Sequence, residues 1–258
     1  MKYAALGLLI FSSIAVSSYL MPGYAQAASA QIATTDPDFS VVIFPDTQYY
    51  RGNYGYVFQD QAYWVVSHQA QLNIKAVIGV GDIVDGGGYP VNSSGAIVGT
   101  CNNVPPSTWQ TQWQQARSAV NILTSHGIYY QPTIGNHDYD CQADRPQPRS
   151  ATNYFRYFGN LSLSPTAYIP DSQGNRTPNF YKVMKIGSAN YMILSLELFP
   201  QSWVVQAANA LISNFNGPVI VVTHAYLASD GSGPNFGSSV PAGSAYPLCS
   251  GFPGTVYS

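Results

Sequence analysis

Apolar residues in this chain recur in short blocks with two periods, and the alternation of those blocks predicts a β/α order. Residues 41–45 are a brief apolar run that stops at Asp46-Thr47-Gln48, the pattern of a buried strand. Across 57–72, Phe58, Ala62, Val65, Val66 and Leu72 fall near a 3.6-residue period and predict a helix. Residues 76–80 read as the next strand, ending at Gly81-Asp82, and 86–106 as an irregular insertion. Pro105-Pro106-Ser107 then predicts a helix start, and Trp109, Trp113, Ala116, Val120 and Leu123 form the cleanest helical stripe in the chain. His126-Gly127 stops it, and 128–134 reads as a third strand ending at Gly135-Asn136-His137-Asp138.

Beyond this point the pattern weakens. Residues 141–179, rich in Pro, Asn, Ser and Arg, read as a long loop region. Runs 180–186 and 191–196 flank Gly187-Ser188-Ala189-Asn190 as a β-hairpin, 201–215 carries a helical stripe, and 218–222 is a last strand ending at Thr223-His224. The rest is Gly/Ser/Pro-rich. With no internal repeat and no linker-like stretch, one α/β domain over 31–258 is the simplest organisation.

Composition narrows the class. Lys+Arg number 10 against 12 Asp+Glu and only 9% of residues are charged, which excludes a basic nucleic-acid binder and a charge-driven disordered tail. An apolar share of 46% can build a core. Residues 1–30 place Lys2 before an uncharged, mostly apolar run and then Ala25-Gln26-Ala27 and Ala28-Ser29-Ala30, the order of a secretory signal peptide, with an uncleaved membrane anchor as the alternative. The mature protein is therefore expected to be secreted or periplasmic and free of the membrane. Three cysteines fit an oxidising compartment. A Cys101–Cys141 bridge would stabilise by about 3–4 kcal/mol on the chain-entropy estimate, leaving Cys249 unpaired.

Four predicted strands end in metal-competent side chains: Asp46 and Gln48, Asp82 and Asp85, Asn136 and His137, then His224. In an α/β sheet the carboxyl ends of strands line one crevice, so these groups can meet. Carboxylates, carboxamides and imidazole form an oxygen/nitrogen set that suits Mn²⁺, Fe²⁺, Zn²⁺ or Mg²⁺. An aspartate shared by two cations, for which Asp82 is the candidate, would activate a water for attack on phosphorus. His68 and His126, within or at the end of helices, read as surface or capping groups, and Glu197 stays open between facing the crevice and capping the next helix.

These residues resemble the motifs of the calcineurin-like metallophosphoesterase family: Asp-x-His, Gly-Asp-x-x-Asp, Gly-Asn-His-Asp/Glu, a His after an apolar strand, and Gly-His-x-His. Here they stand as Asp46-Thr47-Gln48, Gly81-Asp82-Ile83-Val84-Asp85, Gly135-Asn136-His137-Asp138 and Val222-Thr223-His224. The resemblance implies a sandwich of mixed β-sheets flanked by helices, with two divalent metal ions at the strand ends and a phosphate-ester substrate. It implies that Asp46, Gln48 and Asp82 hold one ion and that Asp82, Asn136 and His224 hold the other. His137 would orient or protonate the leaving oxygen, positioned by Asp85 or Asp138.

Two departures qualify this expectation. Gln48 stands where the family has His, and no Gly-His-x-His follows His224. The chain is expected to be either a truncated version of a longer enzyme or a homologue that has lost turnover. The readings carried forward are a secreted dinuclear-metal hydrolase of phosphate mono- or diesters and, as alternative, a non-catalytic binding fragment. The purple acid phosphatase branch is disfavoured because it needs Tyr where Asp85 stands.

Overall fold

The computed structural model describes residues 38–102, 106–142, 150–161, 167–198 and 200–225. Residues 1–30, read above as a signal peptide, and Cys249 lie outside the described residues. Two sheets carry the architecture. The first is parallel in the order β1 (Ser40–Phe44), β2 (Ile74–Gly79), β3 (Tyr129–Gln131). The crossovers are α1 (Gly55–His68) and α2 (Trp109–Ser125), which pack on each other and on this sheet's outer face. The second runs β4 (Ala167–Tyr168), β5 (Phe180–Ile186), β6 (Ala189–Ser195), β7 (Val219–Val222), antiparallel except for the parallel β6/β7 pair joined through α4 (Ser202–Ser213).

Side-chain alternation produces the layers. On β2, Val77 joins the helix-side core while Ala76 and Ile78 turn to the other sheet, as expected for successive residues of a strand. On β6, Met192 and Leu194 pack under Val204 and Ala208 of α4, whereas Ile193 meets Ala76, Ile78, Tyr129 and Val222 between the sheets. The result is a helix–sheet–sheet–helix sandwich. Its helix-side core is anchored by Trp113, which is fully buried, donates its indole N–H to the Gly87 carbonyl at 3.0 Å, and stacks on Tyr157.

One polar group interrupts the apolar seam between the sheets. Gln131 on β3 donates to Ser195 Oγ on β6 at 3.0 Å, and Thr133 Oγ1 lies 3.1 Å from the same hydroxyl, all three residues being fully buried. Tyr129 hydroxyl donates to Gln131 Oε1, so both ends of the amide have a partner.

The 141–179 segment is not the continuous loop that its composition predicts. It contains α3 (Thr152–Phe158) and β4. The α3 N-terminus is capped from a distance: Asp140 accepts the backbone N–H groups of Thr152 (2.8 Å) and Asn153 (3.2 Å). The third strand is also shorter than the expected 128–134, because Pro132 has no N–H to continue the ladder.

Candidate metal centre

The carboxyl ends of β1, β2 and β7 converge. Asp46, two residues past β1, Asp82, three past β2, and His224, two past β7, present ligand atoms that all lie within 4.8 Å of one another. His224 Nε2 is 3.3 Å from Asp82 Oδ2, and its Nδ1 is 3.8 Å from Asp46 Oδ1 and 2.9 Å from the Val80 carbonyl. Gly81, at φ +105°, makes room for this ring: a Cβ there would stand 2.6 Å from His224 Nδ1. Asp82 itself sits at φ +48°, a left-handed conformation that costs a non-glycine residue about 1–3 kcal/mol and survives only where its surroundings fix it.

Those surroundings are visible. The buried Asp138 carboxylate accepts N–H groups from Ile83 (2.8 Å) and Val84 (3.1 Å) on one oxygen and from Gly135 (2.8 Å) on the other. Asp82 Oδ1 accepts the His137 N–H at 3.0 Å, so the turns after β2 and β3 are bound to each other through carboxylates. Thr47 joins the third turn: its N–H reaches the Asp82 carbonyl at 3.1 Å and its hydroxyl the Ile83 carbonyl at 3.0 Å.

The electrostatics follow from crowding acids in a part-buried crevice. Burial, with the Asp82 charge beside it, raises Asp46 above the usual carboxylate range against the pull of His224. Burial and Asp82 push Asp138 up to about 8 despite the N–H groups it accepts from Gly135 and Val84. Burial works to neutralise His224, but the Asp82 hydrogen bond and charge, the Val80 carbonyl and Asp46 outweigh it and raise the imidazole to about 9. A cluster that binds its own protons this way is one in which a cation would be welcome.

The residues present fit a divalent ion. Gln48, buried, donates its amide to Asp82 Oδ2 at 3.2 Å, and its Oε1 is buried without a hydrogen-bond partner among the described residues. An unsatisfied buried carbonyl beside two carboxylates and an imidazole completes a hard oxygen/nitrogen donor set. Asn136 opens the short 3-10 turn Asn136–Asp138, whose next residue binds Asp82 through its backbone.

His137 lies at the rim. Its Nδ1 is 2.8 Å from the Asp85 carbonyl and 3.8 Å from Asp85 Oδ1, while the Asp85 N–H donates to Gln112 Oε1 on α2 at 2.9 Å. Two residues that motif reading passed over complete this group. Arg51 forms an ion pair with the other Asp85 oxygen, and Gln142 Nε2 contacts both the Asp85 carbonyl and, at 3.0 Å, His137 Nδ1. Arg51 left a trace in the sequence as the lone arginine or lysine between Lys2 and Lys75. Gln142 left none. Elsewhere, His68 at the end of α1 stacks on Trp64, His126 just past α2 contacts the Ile122 carbonyl, and Glu197 Oε1 accepts the Gln201 N–H at the start of α4 at 3.4 Å.

A two-sheet α/β sandwich whose strand ends gather carboxylates and imidazole is a framework that can hold a divalent cation. A family model for calcineurin-like phosphoesterase matches residues 39–248, and the chain belongs to that family, whose members hydrolyse phosphoesters with divalent metals. The Cys101–Cys141 disulfide expected from the sequence is formed, with Cα atoms 5.2 Å apart. A stretch of 100 residues is 34% identical to the uncharacterized protein YvnB of Bacillus subtilis (strain 168). That match covers 39% of this chain and 6% of the relative, so the chain spans a small part of that protein's length. Among the described residues no helix is long and apolar enough to cross a membrane.

Proposed function

We propose that the protein is an exported phosphoesterase that hydrolyses phosphate mono- or diesters at a centre of two divalent cations. The observation that carries this reading is the convergence of Asp46, Asp82 and His224 within 4.8 Å beside the unsatisfied Gln48 carbonyl. Asp46, Gln48 and Asp82 would hold one ion, and Asp82, Asn136 and His224 the other, with Asp82 shared. Cations there supply Lewis acidity to the phosphoryl oxygens and to the attacking water. The protein's own part is to fix these donors before substrate arrives, which the Asp138 and Thr47 hydrogen bonds do.

His137 moves the proton. Two Asp85 oxygens face Nδ1, so that nitrogen carries the ring hydrogen and Nε2 is left for the leaving oxygen. As general acid, His137 would deliver a proton from Nε2 to the leaving oxygen as the ester bond breaks, with Asp85 orienting the ring.

The test is hydrolysis of p-nitrophenyl phosphate and bis-p-nitrophenyl phosphate across Mn²⁺, Zn²⁺, Fe²⁺ and Mg²⁺, with Asp82→Asn beside the wild type. The amide removes the negative charge that both ions share, and activity is expected to fall by at least a hundredfold together with metal content. Wild-type turnover by that variant would refute the assignment. A second reading, a metal-binding module without turnover, draws on one observation: Gln48 offers a neutral carboxamide where the family has an imidazole. Tight metal binding with no hydrolysis under any ion would establish it. Export rests on the residue 1–30 pattern and is tested by N-terminal sequencing of the secreted product.

A further inference from the structure

Cys141 and Gln142 are two consecutive non-glycine residues with left-handed backbone, at φ +59° and +50°. Such a pair persists only where its surroundings over-determine it. Here the surroundings are three: the disulfide to Cys101, the Cys141 N–H on the Gly88 carbonyl at 2.6 Å, and the Gln142 N–H on the Tyr139 carbonyl at 2.9 Å. The conformation delivers the Gln142 amide to the Asp85 carbonyl on which the His137 ring also rests. Its orientation is fixed by chemistry, since the Asp85 carbonyl can only accept and the atom against it must therefore be Nε2. That nitrogen then lies 3.0 Å from His137 Nδ1, on the same carbonyl that the ring uses.

We propose that Gln142, fastened by the Cys101–Cys141 disulfide, is a positioning residue that holds the Asp85 carbonyl on which the His137 ring rests, so that turnover depends on the redox state of that disulfide. The inference rests on the reading of the site as a phosphoesterase and adds to it a residue and a lever that lie outside the metal-ligand motifs. Cys101 comes from the insertion after the Asp82 turn and Cys141 from the segment after the His137 turn, so the covalent bond ties together the two segments on which Asp85 and His137 depend. A dithiol reductant would break the S–S bond, giving up two electrons and two protons to leave two thiols while closing its own disulfide. The released Cys141 and Gln142 relax toward ordinary backbone angles, the amide withdraws from the Asp85 carbonyl, and the His137 ring loses its fixed acceptor. No metal donor is attached to this strap, so the cations stay.

The experiment uses the full chain, native and treated with dithiothreitol, alongside Gln142→Met, which keeps the length of the side chain and removes its donor. With Mn²⁺ loaded, reduction is expected to lower kcat about tenfold with KM and metal content held. Gln142→Met is expected to show the same loss and to be insensitive to further reduction. In parallel, ¹H–¹⁵N spectra of the metal-free protein, with the His137 ring assigned through His137→Ala, should show the ring signals moving both on reduction and in Gln142→Met. If the wild type is active and neither treatment changes kcat, the inference is overturned. If the wild type is inactive with every ion, the phosphoesterase reading falls and the spectra decide the strap alone: unmoved His137 signals overturn it, and coincident shifts sustain it.

Discussion

Gly135→Ala is a purely steric perturbation of the metal centre. Gly135 has φ −104° and ψ −177°, extended backbone that alanine adopts freely, so the substitution introduces no conformational strain. The added Cβ would collide with the Asp82 carboxylate Oδ1 and backbone nitrogen and stand 2.9 Å from its Cγ. Both neighbours are held, the carboxylate by the His137 N–H at 3.0 Å and the backbone by the Asp138 hydrogen bonds to the residues that follow. Overpacking of this kind costs about 1–3 kcal/mol, which for a domain of this size lowers Tm by roughly 2–12 °C. The functional effect should be larger. Asp82 must shift by about an ångström, and a misplacement of that size at a reacting centre costs on the order of a hundredfold in rate. Thermal unfolding by circular dichroism, bound Mn²⁺ by mass spectrometry and kcat on bis-p-nitrophenyl phosphate measure the three quantities on one preparation. A folded Gly135→Ala protein with wild-type metal content and kcat would refute the close packing of the two turns.

Two further perturbations probe the rim and the ligand imidazole. Arg51→Ala removes the charge opposite Asp85; the Arg51 side chain is half exposed, so stability should change by about 1 kcal/mol or less, while kcat/KM falls about tenfold or more as Asp85 loses its orientation. Unaltered kcat/KM would show the pair to be ornamental to catalysis. In protein stripped with EDTA, His224 is raised to about 9 from 6.5, so its contribution to stability is fully present below about 6.5 and is lost as pH rises through about 9. The Tm of the metal-free protein should therefore decline over that interval, and His224→Gln should flatten the decline; an identical slope in both would contradict it.

The strands that end at the site were legible because a buried parallel strand is a short apolar run, and residues such as Val77 and Ile78 have no polar neighbour to confuse the pattern. Helix α3 was not. Its sequence, Asn153-Tyr154-Phe155-Arg156-Tyr157-Phe158, is aromatic on both faces and shows no period, and its cap is Asp140, which only the folded chain brings near. Strand β4 is two residues long and exists through its pairing with β5. At the site, Asp46, Asp82 and His224 could be found from motif and strand end together, and the structure brings their donor atoms into one cluster. Asp138 shows the limit of such reading: its motif position says nothing of the three N–H groups it accepts. Arg51 and Gln142 act through Asp85, and a contact made across 34 or 57 positions has no local signature.

The buried clasp of Gln131, Thr133 and Ser195 acquires a different meaning once the ligands are assigned to their sheets. Asp46 and Asp82 follow strands of the first sheet and His224 follows β7 of the second, so the centre exists only while two independent sheets keep one alignment. A seam of methyl and methylene groups is nearly degenerate to sliding, since one aliphatic knob fits another's hole almost as well as its own. Hydrogen bonds at 3.0 and 3.1 Å have no such alternatives, because displacement strands three polar groups away from water. Three side chains thus act as a vernier between the sheets and set the spacing of Asp46 and Asp82 from His224.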